Sequence, residues 1–218
     1  DTTITVGCNM LKTLANMPAL ESLDVRFCGS LEQVAEMPAL KSLSAYTCNM
    51  LMTLANMPTL ESSEVTDCDS LEQVAEMPAL KSLRVVRCNM LKTLANMPAL
   101  ESLDVRFCGS LEQIAEMPAL KSWSAYTCNM LMTLANMPTL ESSEVTDCGS
   151  LEQVAEMPAL KSLRVDRCNM LKTLANMPAL ESLEVVGCNM LKTLANMPAL
   201  ESVVDSMVEA RVGMATFA

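Results

Sequence analysis

Histidine is absent from this 218-residue chain, and aromatic residues are scarce: one Trp, two Tyr and three Phe. Without histidine the chain has no imidazole for acid–base catalysis and no imidazole metal ligand. With so few rings the core has to be built from Leu, Val, Met, Ala and Cys. Glycine totals six, and the chain shows no C-x-x-C pair, no Gly-rich phosphate loop and no nucleophile elbow. These absences exclude the common enzyme signatures, so the chain reads as non-catalytic and cofactor-free. Cations are in the minority, 15 Lys and Arg against 26 Asp and Glu, for a net charge of -11. Such a chain repels phosphate, which argues against nucleic acid and anionic membranes as partners. No apolar run approaches the roughly eighteen residues of a membrane span. No signal peptide is visible.

Half of the residues are apolar, enough to exclude a disordered chain. The ten cysteines fall at 8, 28, 48 and onward to 188, always twenty apart. Disulfide frameworks have irregular spacings. A uniform spacing gives every Cys the same place in a repeat, so the thiols are expected to be reduced and buried, which weakly favours a reducing intracellular compartment. Met17-Pro18 recurs at the same interval up to Met197-Pro198. One unit runs from Leu20 to Ala39. In it Leu23 and Val25 alternate with Ser22, Asp24 and Arg26, the period of a strand with one face inside. Leu31, Val34, Ala35 and Met37 follow with the spacing of a short helical or 3₁₀ turn. Pro38 is expected to end that turn. A self-similar period near twenty residues marks a solenoid whose coils share one core.

The pattern L-x-x-L-x-V-x-x-C-x-x-L, carried by Leu20, Leu23, Val25, Cys28 and Leu31, resembles the leucine-rich-repeat family over residues 8 to about 203. The resemblance implies an α/β solenoid, a right-handed superhelix with a concave parallel β-sheet and short helical or 3₁₀ turns on the convex side, and a protein-binding role. It places Cys28 and its equivalents at the family's Asn/Cys corner. A parallel β-helix, which also has coils near twenty residues, is the alternative architecture. The organisation expected is an array of about ten coils over residues 1–203 and a C-terminal cap or tail over 204–218.

Two kinds of unit alternate, and a row reading Glu21, Lys41, Glu61, Lys81 up to Lys161 should stack opposite charges one coil apart, with Lys41, Glu61 and Lys81 on the convex side. Residues 9–88 and 89–168 differ only at Val34/Ile114, Leu43/Trp123, Asp69/Gly149 and Val86/Asp166. Such identity points to recent duplication or deliberate design. Variation concentrates at strand positions expected to face outward. There the interface-forming residue types gather into two equivalent groups, Phe27, Tyr46, Arg84 and Arg87, then Phe107, Tyr126, Arg164 and Arg167. The expected function is a scaffold presenting this concave surface to a protein partner. A structural or self-assembling protein, forming homo-oligomers through its exposed ends, is the alternative. A soft-metal binder using the Cys and Met rows is a weaker one. In the inward column Leu23, Leu43, Ser63, Leu83, Leu103, Trp123, Ser143, Leu163, Trp123 is expected to lean into the space left by Ser143.

Overall fold

The computed structural model describes residues 2–35, 37–115 and 117–205; the proposed cap lies mostly outside these residues. The chain divides into two compact units, Asp1–Leu120 and Lys121–Ala218.

The first unit is a stack of coils, each with a long and a short strand arm. Its long arms are Thr3–Val6, Ser22–Arg26, Ser42–Tyr46, Ser62–Thr66, Ser82–Val86 and Ser102–Arg106, paired in parallel in that order. From Ser22 onward, each residue pairs with the one twenty positions away, as in Ser22↔Ser42 and Val65↔Val85. Its short arms include Thr53–Ala55, Gln73–Ala75, Thr93–Ala95 and Gln113–Ile114, which form a second parallel sheet. The second unit repeats the design. Long strands Ser122–Tyr126, Ser142–Thr146, Ser162–Asp166, Ser182–Val186 and Ser202–Asp205 form one sheet, and short strands Thr133–Ala135, Gln153–Ala155, Thr173–Ala175 and Thr193–Ala195 form another.

The helical or 3₁₀ turn expected after Leu31 is therefore not what forms. Among the described residues the structure contains no helix, and the corresponding segments are strands of two or three residues. The physical reason lies in the neighbouring coil. A lone segment of this length would have to bond its amides internally, whereas here Gln73–Ala75 lies in register with Thr53–Ala55 below and Thr93–Ala95 above. Stacking satisfies the backbone without a helix.

Proline also acts differently from the expectation. Leu40 N–H donates to Met37 C=O at 3.1 Å, closing a β-turn with Pro38 at its second position. Proline's fixed φ suits that place. The opposite corner is closed the same way, Leu31 N–H donating to Cys28 C=O at 3.0 Å. Just before most of these turns the backbone enters the left-handed region. Asn16, Asn56 and Asn96 do so before Met-Pro, with φ of 60°, 59° and 56°; Phe27, Thr47, Asp67 and Arg87 do so before Cys, with φ of 54°, 55°, 55° and 52°. Asparagine tolerates this region. The second set includes bulky and β-branched residues, held there because each N–H is fixed to the next coil: Phe27 to Tyr46 C=O at 2.9 Å, Thr47 to Thr66 C=O at 2.9 Å.

The core is a set of columns. Leu23, Val25, Cys28, Leu31, Val34, Met37 and Leu40 are all buried, and their equivalents one coil on follow them inward. Two polar residues break one column. Ser63 sits between Leu43 and Leu83, and Ser143 between Trp123 and Leu163. Both serine hydroxyls are buried without a hydrogen-bond partner. Trp123, 2% exposed, pairs in register with Ser143 as expected, and its indole N–H also lacks an acceptor.

These two serines should respond oppositely to the same substitution. Ser63→Leu restores the column's usual residue and removes an unpaired hydroxyl, a gain of about 2 kcal/mol. Ser143→Leu adds volume beside the bulky indole of Trp123, its partner in register, and should give no gain or a loss of about 1–3 kcal/mol. Urea unfolding followed by circular dichroism reads both.

Candidate functional site: the outward face of the long strands

Residues alternating with the core positions point away from it, and in the first unit they form a connected polar network. Asp24 and Arg26 lie two apart on one strand, and Arg26 Nη2 is 2.7 Å from Asp24 Oδ2. The Arg26 guanidinium lies 5.2 Å from the Tyr46 ring centroid, a cation–π contact. The Tyr46 hydroxyl donates to Glu64 Oε2 at 2.8 Å. Burial, together with the neighbouring Glu64 carboxylate, raises the Tyr46 pKa. Arg84 then sits between Glu64, 3.8 Å away, and Asp104, 3.6 Å away, and Arg106 pairs with Asp104 at 2.8 Å. Of the residues expected to form the site, Tyr46 and Arg84 are thus joined through Glu64.

Phe27 and Arg87 occupy a different place. They are the left-handed corner residues that follow the long strands. Phe27 is 65% exposed. Arg87 pairs in bidentate fashion with Asp67 one coil below, Nη2 to Oδ2 at 2.7 Å. That hydrogen bond holds the Asp67 carboxyl below its ordinary pKa. The first group therefore separates into a face pair, Tyr46 and Arg84, and a corner pair, Phe27 and Arg87.

The second group divides otherwise. Phe107, 48% exposed, belongs to the first unit. Tyr126 ends its strand and is half-buried in the second unit. Arg164 there reaches Glu184 at 2.6 Å and Glu144 at 3.5 Å, while Arg167 takes Asp147 at 2.7 Å. Asp166 lies between the two arginines, 3.4 Å from Arg167 and 3.8 Å from Arg164. At the matching place in the first unit stands Val86, buried, which cannot bridge Arg84 and Arg87. One of the four differences between the halves thus makes the two groups non-equivalent. Glu64 and Asp104 flank Arg84 in its own sequence column and were expected to satisfy part of its charge, as they do. Asp67, Asp147 and Asp166 were not tied to an arginine from the sequence: the first two stand one coil before Arg87 and Arg167 in one column, and Asp166 stands in a different column from both of its arginines.

That row stacks opposite charges as expected: Lys41 is 3.1 Å from Glu21 and Lys81 is 2.9 Å from Glu61. Its residues stand immediately before the long strands, at the rim of the same sheet, and not across the coil from it. Their backbone joins the ladder, Lys41 N–H donating to Glu21 C=O at 2.8 Å.

The cysteine row lies inside. All ten cysteines are free thiols; eight are buried, Cys188 is intermediate and Cys8 is exposed. Each buried sulfur faces backbone carbonyls, as Cys48 does with Tyr46 C=O at 3.6 Å and Val25 C=O at 3.9 Å. Burial raises the Cys28 thiol and pushes Cys108 up to about 11. Among the described residues no three or more Asp, Glu or Cys side chains gather as a metal site.

A stack of twenty-residue coils with parallel long strands, inward Leu columns and a Cys corner is the build of a leucine-rich-repeat solenoid, and residues 77–177 carry such repeats. Residues 77–177 match the family described as plant disease resistance protein RPS2-like, leucine-rich repeats. No curated protein matches the chain. Among solved structures, a leucine-rich repeat protein from Bacteroides ovatus is 12% identical, covering 94% of this chain and 78% of its own, with a TM-score of 0.34. A leucine rich cell surface protein from Faecalibacterium prausnitzii is also 12% identical, covering 98% and 90%, with a TM-score of 0.29. At TM-scores this low neither likeness bears on function.

The thiol row makes a direct prediction. A thiol-reactive dye should modify Cys8 at once, Cys188 more slowly and the other eight only after unfolding, because the thiolate is the attacking form and burial suppresses it. Rapid native labelling of Cys108 would contradict this burial.

Proposed function

We propose that the chain is a non-catalytic scaffold that binds a protein partner on the outward face of its long strands, the side that leucine-rich-repeat architecture makes concave. The observation that carries the reading is the contrast between columns. Inward positions repeat almost unchanged, whereas outward positions run Asp24, Ser44, Glu64, Arg84, Asp104 and Arg26, Tyr46, Thr66, Val86, Arg106. A fixed frame with a varied face is what selective binding requires and what a purely structural array does not. The sheet holds these side chains in place before a partner arrives, so little ordering entropy is lost on binding.

The ion pairs set the terms of that binding. Arg84 and Arg87 are already matched by carboxylates within the first unit, so they serve orientation and exclusion of wrong partners more than affinity. Affinity falls to the rings: Phe27 at the corner and Tyr46 on the face, with Phe107 and Tyr126 in the matching roles. A ring of this kind, desolvated at an interface, contributes about 2 kcal/mol.

The test compares three immobilised chains: unaltered, Phe27→Asp with Tyr46→Ala, and Thr53→Ala with Gln73→Ala on the opposite arm. For a partner captured by the unaltered chain, the first pair should weaken binding at least about thirtyfold. The second pair should leave it within about twofold. The reverse pattern would place binding on the short-strand arm and end the proposal.

A further inference from the structure

The methionines fall into two populations that the repeat keeps apart. Those of the Met-Pro corners, the half-buried Met17 aside, belong to the core: Met77, Met97, Met157 and Met177 are 0% exposed and Met57 is 5% exposed. Eight others stand in solvent. In the first unit they are Met10, Met50, Met52 and Met90, and in the second Met130, Met132, Met170 and Met190, all between 40% and 85% exposed.

Packing does not ask for them. The corner position of Met10, Met50 and Met90 is filled in the intervening coils by Ser30 and Ser70. The position of Met52 is filled elsewhere by Lys12 and Lys92, which pair with Glu32 and Glu72 at 3.4 Å and 3.9 Å. Met52 thus gives up ion pairs on both sides without gaining burial, at 54% exposure. Met50 and Met52 flank the fully buried Leu51. The result in each unit is a band of thioethers at the turn after the Cys row. Chain elements two coils apart lie about 10 Å from each other.

We propose that these eight residues are sites of reversible oxidation by a hydroperoxide, and that the modification converts an apolar edge into a polar one while leaving the fold intact. The sulfur lone pair attacks one peroxide oxygen. The O–O bond breaks, sulfur gains that oxygen as a sulfoxide, and the hydroperoxide is reduced to water or an alcohol. Two methionine sulfoxide reductases, one for each sulfoxide epimer, reverse the change with a dithiol as reductant: the dithiol gives up two electrons and two protons to become a disulfide, the S–O bond breaks and the oxygen leaves as water. The fold withstands it because serine and lysine already occupy the same places in other coils. The buried row could not: a sulfoxide at Met77 or Met97 would set a strong dipole among leucines. The oxidisable band is separate from the long-strand face, so this inference stands or falls independently of the partner-binding reading.

The folded chain is treated with dilute hydrogen peroxide near pH 6. Peptide mass spectrometry should find sulfoxide on the eight residues at least about tenfold faster than on Met57, Met77, Met97, Met157 and Met177. The far-ultraviolet β signal should stay constant, elution from a hydrophobic-interaction column should come earlier, and the two reductases supplied with dithiothreitol should restore the original elution. A chain carrying Met52→Lys and Met132→Lys, residues the repeat already uses there, should lose two sulfoxides and keep the other six. Oxidation of the Met-Pro row at a similar rate would overturn the proposal. So would loss of the β signal in step with the first sulfoxides, or unchanged elution.

Discussion

Backbone pairing between coils is the interaction on which everything else rests. Within each unit the long strands from Ser22 onward lie in parallel register with the strand twenty residues on, and the short arms pair on the same offset, as Thr53↔Gln73 does. A coil this small cannot bury enough surface to order itself, so its stability comes from neighbours. The constraint is strict, because a shift of one residue in a strand turns every inward side chain outward. Within that restriction a residue's neighbours are the residues twenty positions before and after it. The core columns, the Lys–Glu row, the thiol row and the outward network are all consequences of that one offset.

The sequence made this offset plain, and with it the inward columns, the burial of most cysteines and the pairing of Lys41 with Glu21. Trp123 beside Ser143 was legible too, because both belong to one column. The second arm was not. Leu31, Val34 and Met37 show a spacing that a short helical turn and a turn–strand–corner combination share, and two or three residues are too few for periodicity to decide. What decided was pairing with the next coil, a non-local effect. The left-handed corners at Phe27, Thr47 and Arg87 were equally hidden, since no glycine marks them. Gly187, with φ of 65°, occupies that position with the residue type that would have revealed it.

The site was legible in its residue types more than in its wiring. Tyr46 and Arg84 were found because they vary where the interior does not. The pairing of Arg84 with Glu64 and Asp104 was legible because all three stand in one column, whereas the contact of Tyr46 with Glu64 was not, because it reaches across to the adjoining column. Asp166 shows how much one substitution changes: with valine at the matching place Arg84 and Arg87 stay unconnected, and with aspartate Arg164 and Arg167 share an anion. Near-identical halves of the sequence therefore do not carry identical surfaces.

The claim that the twenty-residue offset governs the whole structure has one direct measurement. Deleting residues 41–80 removes two whole coils from the first unit and joins Leu40 to Lys81, so that Lys81 takes the place of Lys41 above Glu21. Deleting residues 41–79 instead leaves the register one residue out. Circular dichroism per residue and the cooperativity of urea unfolding should be preserved by the first deletion, with a lower midpoint from the shorter stack, and lost in the second. Equal behaviour of the two chains, or collapse of the first, would contradict the account.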